Sequence, residues 1–429
     1  MKKVLLSTVA SMALAVPAYA SGSNSTVTQT NVGNSTTVDQ VGSAVGSNSN
    51  VNQTGANNTA NVTQADDGTD NSATIPPANE SDIQQTGDSN SAMVNQNASI
   101  NFNPNQSYIT QSGSGNSASV TQLDDENSST VIQSSDGNTA IVSQGDPVLA
   151  LTDDSWGNNS YIEQAGAGNH LADVAQGGQG NDSTVSQTGD SDSATVNQSG
   201  NDNTSWVDQT DMLNTADVSQ SGNNNQSFVH QGGTNIAATV DQSGNDNLAD
   251  IYQDSPGGVR PVDASAAVYQ SGNSNEAYVD QRGNESSVYV DQAGDDNTAT
   301  AMAYGNRSAT EIWQYGNTNS AYVEQRAEDS LAQVEQDGNN NQASIIQRED
   351  SPPTEGFYAG IGQYGDNNIA SIDQDGDGHY ALTLQFGDNN QSSILQTGSM
   401  NSATVQQFTN NNVSTVVQSG TGNSASVSQ

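Results

Sequence analysis

The chain is predicted to be all-β, a parallel two-sheet β-solenoid (cross-β) with about 22 residues per coil, each coil running strand, arc, strand, arc. Three observations predict it. Glutamine recurs every eleven residues along most of the chain. Within each unit, Asn, Ala, Val and Gln follow one another at steps of two, the side-chain period of an extended strand. The composition also lacks the material of a conventional large core, with 31% hydrophobic and 13% charged residues in a chain of 429.

The first element is residues 1–20, "MKKVLLSTVASMALAVPAYA". Lys2 and Lys3 precede an apolar run that ends before Ala18-Tyr19-Ala20, which is the three-part pattern of a cleaved Sec signal. The run is too short for a membrane span. Residues 21–429 then form one repetitive domain. Removing the leader takes both lysines, which leaves five arginines against 48 acids and moves the net charge from −41 to −43. That charge makes nucleic acid and anionic membrane poor partners. There is no cysteine, so an exported chain has no disulfide to staple it.

The repeat appears on following Gln187, Gln198, Gln209, Gln220, Gln231, Gln242 and Gln253, and again from Gln374 to Gln429. Residues 111–122, "QSGSGNSASVTQ", return almost unchanged at 418–429 as "QSGTGNSASVSQ". With degenerate copies ending at Ile75 and Ala303 the count is 35 units, or about 17.5 coils. An eleven-residue period also suits a right-handed helical coiled coil. Glycine in nearly every unit, at about 1 kcal/mol each, rules that out.

Read as strands, the units place Asn, Ala, Val and Gln on the inward face, for example Asn247, Ala249, Ile251 and Gln253. The four residues between strands, such as those around Gly244, carry the Gly and Asn chemistry of tight arcs. Residues 22 apart then stack at about 4.8 Å. The expected interior ladder comprises Gln198, Gln220 and Gln242 in one column and Gln187, Gln209, Gln231 and Gln253 in another, with Asn203, Asn214, Asn225 and Asn247 as further rungs. Their amides donate to one neighbouring coil and accept from the other, so a polar interior stays satisfied.

On the signature Gln-x-Gly-x-x-Asn-x-Ala-x-Val-x-Gln, clean at residues 53–64 and 396–407, the chain resembles the curlin family, the subunits of the bacterial extracellular amyloid fibres called curli. The resemblance covers nearly all of the mature chain. It implies export through an outer-membrane curli-type pore, a nucleator subunit as partner, and a homopolymeric cell-surface fibre of the biofilm matrix that adheres to host or abiotic surfaces. Familiar members have far fewer coils and carry a separate targeting segment ahead of the first strand.

Other features are weaker. "DQDGDG" at 373–378 opens like a calcium loop, but its twelfth position is Leu384. His170, His230 and His379 share no spacing and are expected to be solvated or in arcs. No catalytic set stands out from the repeat, so no enzyme and no cofactor or metal site is expected. Trp206 with Phe228, and Phe386 with Phe408, are 22 apart and should stack outward on adjacent coils. Insertions after Gln144, Gln253 and Gln347 hold most of the prolines and read as loops bulging from arcs.

The alternative to a fibre subunit is a self-contained extracellular solenoid, an adhesin or an ice- or cation-binding protein that folds alone. Low aromatic content and high charge also suit a monomer that stays disordered until templated. The fibre reading assigns polymerisation to the ends, with Asn24, Val27 and Gln29 on one side and Asn423, Ala425, Val427 and Gln429 on the other, because an uncapped coil is an open sheet edge.

Overall fold

The computed structural model describes residues 23–42, 46–66, 79–98, 104–145, 156–255, 258–349 and 356–429. The leader 1–20, and the segment around Ile75, lie outside the described residues. Within them the chain forms 34 strands, from β1 (Asn24–Thr30) to β34 (Ser424–Ser428), and no helix. The odd-numbered strands, β1, β3 (Asn48–Thr54), β5 (Glu80–Thr86) and onward to β33 (Val413–Thr421), follow one another in one parallel sheet. The even-numbered strands, β2 (Ser35–Gly42), β4 (Thr59–Asp66), β6 (Ser91–Ala98) and onward to β34, form the second. Two strands make a coil, so there are 17 coils and a rod of about 80 Å at 4.8 Å per coil.

Register is set by the side-chain period of two. A slip of one residue would bring the outward Ser, Thr and Asp inside, so like stacks on like. In the stretch of regular units, Val196 lies on Val218 and Val240, and Gln198 on Gln220 and Gln242. The facing inward rows bury Val, Ile and Ala as one continuous core along the rod. Small side chains suit it because only the depth of two strand faces is available. The rings stay outside. Every tyrosine among the described residues points away from the core, and the one fully buried ring outside the histidines is Phe357.

The arcs show why glycine recurs. Gly222 has φ +104°, and a Cβ there would lie 2.0 Å from the Gly244 carbonyl oxygen one coil on. Only glycine permits both that backbone and that approach. Asn224 and Asp246 take the left-handed conformation two residues later, which these two types tolerate best among residues with side chains.

The unit count needs a correction. β3 pairs directly with β5, and Gln53 donates to Gln85 at 2.8 Å, so no rung lies between them. The expected copy ending at Ile75 lies outside the described residues, and the strands among the described residues number 34, an even count. The first and last strands consequently lie in different sheets.

Candidate assembly site: interior ladders and end coils

The glutamines form two amide ladders. Gln198 Nε2 donates to Gln220 Oε1 at 2.9 Å, and Gln220 to Gln242 at 2.9 Å. Across the core, Gln187 donates to Gln209 at 2.9 Å, Gln209 to Gln231 at 2.8 Å, and Gln231 to Gln253 at 3.0 Å. Each Nε2 also reaches the opposite sheet, as Gln220 does to the Thr204 carbonyl at 3.0 Å. One side chain therefore ties its coil to the next and one sheet to the other.

Asn203, Asn225 and Asn247 occupy one column. The backbone N–H of Asn225 donates to Asn203 Oδ1 at 3.0 Å, and Asn203 Nδ2 donates to the Gly222 carbonyl at 2.9 Å, which closes the arc above. Asn214 stands in the other column, where its Oδ1 accepts from the Ile236 N–H at 3.3 Å. That second column is irregular: Ile236, Ala264, Ser286, Ser308, Ser330 and Phe357 replace its asparagines in the later coils.

His170 and His379 also stand in that column, both 1% exposed, which overturns the expectation of solvated or arc histidines. Each imidazole reproduces asparagine. His170 Nε2 lies 2.8 Å from the Ala165 carbonyl, and its Nδ1 accepts from the Asp192 N–H at 3.2 Å. His379 Nε2 lies 3.1 Å from the Asp375 carbonyl, and its Nδ1 accepts from the Asn401 N–H at 3.2 Å. Those roles need the neutral Nε2–H tautomer. Burial accordingly holds both rings below the usual histidine value. Asp192, the next rung above His170, is buried and pushed up to about 6, chiefly by desolvation. Counting back six residues from Gln176, Gln198 and Gln385 would have found these three positions.

His230 is different. It lies on an outward strand position, stacked on Tyr252 with ring centres 4.9 Å apart, and its Nδ1 is 3.0 Å from Asp208. That carboxylate, by hydrogen bonding, raises the imidazole above its ordinary value. The 373–378 segment is strand rather than loop over most of its length, since β29 covers Ile369–Asp377. Trp206 and Phe228 are register partners, and Phe386 and Phe408 stack with centres 5.6 Å apart.

The ladders have a sense. Along both columns the donor belongs to the earlier coil and the acceptor to the later, from Gln29 to Gln53 at 2.8 Å and Gln40 to Gln64 at 2.9 Å, through to Gln396 and Gln418 at 2.8 Å and Gln407 and Gln429 at 3.2 Å. One break occurs at Ala303. There Gln281 donates to Ser286 Oγ at 3.1 Å and the Thr310 hydroxyl donates to Gln325. Among the described residues, Gln29 and Gln40 accept no side-chain amide, whereas Gln418 and Gln429 donate only to backbone carbonyls, of Ser402 and Val413. One end of the rod offers acceptors and the other offers donors.

Among the described residues, β1 of the first coil pairs only with β3, and β34 of the last coil only with β32 (Ser402–Gln407). Val27, Val38, Ala425 and Val427 are half-buried extensions of the core, open on one side. Asn24 donates its N–H to the Ser47 carbonyl at 2.8 Å, and Asn423 Nδ2 donates to Asn401 Oδ1 at 2.9 Å. These coils are also nearly free of charge. Residues 389–429 contain no Asp, Glu, Lys or Arg, and residues 21–65 contain only Asp39. The other 47 acids and all five mature arginines lie between.

Fold and ladders together define a class: a parallel β-solenoid with glutamine ladders beside its aliphatic core, whose first and last coils among the described residues are complementary in hydrogen bonding. The profile of the curlin associated repeat matches residues 214–244, 263–294, 305–338, 365–398, 380–408 and 401–429. The chain is a member of the curlin-repeat family, a family of structural rather than enzymatic proteins. No curated protein matches it.

Proposed function

We propose that the protein is the secreted subunit of an extracellular curli-like amyloid fibre, assembled head-to-tail by stacking the first coil of one copy on the last coil of another. The observation that carries this reading is the one-way sense of the glutamine ladders. A second copy placed on the C-terminal coil sets its β1 on β33 and its β2 on β34. Gln418 then meets Gln29, and Gln429 meets Gln40, donor to acceptor, with the 22-residue register unbroken. Reversing either copy sets donor against donor or acceptor against acceptor. Adding a strand to an open edge is an established mode of association.

The uncharged ends support the same reading. Each subunit carries a net charge near −43 once the leader is gone. Across the proposed joint, coils 16 and 17 of one copy and coil 1 of the next hold Asp39 as their single charged side chain past Asp388. Three coil rises, about 14 Å, separate the two along the axis, more than the roughly 8 Å Debye length at physiological ionic strength. The acidic body remains soluble while the ends approach. Export by a curli-type outer-membrane pore after Sec cleavage, growth from a nucleator subunit, and a role in biofilm matrix and adhesion to host or abiotic surfaces complete the proposal. The resemblance of the repeat to that of curli subunits is what supports these parts of the reading.

Seeded growth tests it. Fresh monomer with sonicated seeds should bind thioflavin and gain β-signal by circular dichroism without a lag. A monomer that folds alone and never elongates seeds would support the self-contained adhesin instead.

A further inference from the structure

The outward rows of the even sheet change character near its C-terminal end. In most coils they carry Ser, Thr, Asn and Asp. On β28 (Tyr358–Tyr364) and β30 (Tyr380–Phe386) they read Tyr358, Tyr364, Tyr380, Leu382, Leu384 and Phe386, with Gly360 and Gly362 between the first two. The rings pair coil to coil: Tyr358 and Tyr380 stack with centres 4.9 Å apart, and Tyr364 and Phe386 at 5.1 Å. Phe408, 53% exposed, continues the second stack at 5.6 Å. Leu382 and Leu384 lean over the two glycines, whose added Cβ atoms would lie 3.0 and 2.9 Å from their methyl groups, so the surface there is low and filled. No outward side chain on β28, β30, β32 or β34 is charged. The row below, on β26 (Leu331–Asp337), restores acid with Glu335 and Asp337.

Resting on the fibre reading above, the geometry points to this patch as the lateral contact between two filaments, its occupant being the same patch on a second copy of the chain. Size and charge select that occupant. Three rows at about 4.8 Å, each about 20 Å wide, give roughly 300 Å² per partner. A stable protein pair needs about 800 Å² per partner, so two free subunits do not hold together through it. In a fibre the patch recurs once per subunit, about every 80 Å on the same face, and the contacts add without further loss of translational freedom. Sliding the pairing along the rod brings the outward acids of the even face, Asp217, Asp241, Asp291, Glu311, Glu335 and Asp337 among them, against one another. Filaments therefore pair and monomers do not. Because the patch lies one to three coils from the proposed joint, pairing also splints that joint.

The test compares wild type with Leu382→Ser/Leu384→Ser, and with Tyr322→Ser on the odd face as control, each assembled from monomer and examined by electron microscopy and sedimentation. The inference expects equal thioflavin-monitored growth in all three, paired filaments in wild type and control, and at least a tenfold fall in the paired fraction for the double variant. Sedimentation of fresh wild type should show monomer at micromolar concentration. Fibres of the double variant that pair as wild type does would overturn the lateral contact and leave head-to-tail stacking intact. Absence of fibres from wild type itself would overturn both. Should the double variant alone fail to assemble, Tyr380→Ser/Phe386→Ser repeats the comparison on the flanking rings.

Discussion

Replacing Gln220 with alanine removes one rung from a ladder whose energetics can be worked out bond by bond. Gln220 is 1% exposed. Its Nε2 donates to Gln242 Oε1 at 2.9 Å and to the Thr204 carbonyl at 3.0 Å, and its Oε1 accepts from Gln198 at 2.9 Å. Gln198 keeps two carbonyl partners, Asp182 at 3.0 Å and Asn203 at 3.1 Å, so its loss is small. Gln242 Oε1 is left buried without that donor, at a cost of about 1–3 kcal/mol. The vacated amide and methylene volume, about 50 Å³, adds roughly 1 kcal/mol. The expected total is about 3 kcal/mol, a hundredfold or more in the local opening equilibrium. Asn223→Ala is the matched control. Its Nδ2 donates to Asn245 at 2.9 Å, but the site is exposed and water replaces the bond, so the change should stay under tenfold. Hydrogen exchange read by mass spectrometry on folded protein measures both. Peptides across 204–245 should lose protection in the first variant and keep it in the second. Peptides across 365–407 should be unchanged in both, because a solenoid coil touches only its neighbours. Equal losses from the two substitutions would refute the inward placement of the glutamine column.

Three further outcomes follow from named positions. Asp192, held at about 6 against an ordinary 3.8, binds its proton more tightly folded than unfolded, so coils 6 to 8 should gain about 2 kcal/mol as pH falls from 7 to 4. His170 is shifted the other way and offsets part of that gain in acid, so the titration is best followed by hydrogen exchange in a His170→Asn background, where adding Asp192→Asn should abolish it. At the Ala303 break, Ala303→Gln alone should crowd Thr310, whereas Ala303→Gln/Thr310→Ala should restore the rung and raise the urea midpoint of the surrounding coils, a non-additive pair readable in a double-mutant cycle. Gly222→Ala should open the arc it closes and reduce fibre yield, since its Cβ falls 2.0 Å from a backbone oxygen; normal assembly by that variant would show the arcs to be looser than described.

Much of this was legible because the repeat states each inward position dozens of times. Gln187 to Gln253 needed no structure to be put in two columns, since parity follows from a period of eleven. What escaped were the departures. The unit ending at Ile75 keeps the steps of two at Asn71, Ala73 and Ile75, but Pro76 stands at the outward position that follows and Pro77 where the glutamine belongs. His170, Asp192 and His379 read as unrelated polar residues until register placed them under the next coil's N–H. The even patch escaped for a different reason: outward positions carry no repeat, so only stacking shows that Tyr358, Leu382 and Phe386 share one surface.

The most direct test of head-to-tail stacking is a disulfide that only the fibre can form. In the proposed joint, Thr26 of one copy lies over Thr415 of another in the odd sheet, both outward, about 4.8 Å apart and within the Cα separations a disulfide spans. Within one copy the same two residues are some 16 coils, roughly 77 Å, apart. The chain has no other cysteine to compete. Fibres of Thr26→Cys/Thr415→Cys, oxidised and run without reductant, should give a ladder of covalent oligomers extending to high mass, while Thr26→Cys or Thr415→Cys alone stays monomeric. Dimers from either single variant, or no cross-links from the double variant in well-formed fibres, would contradict the joint.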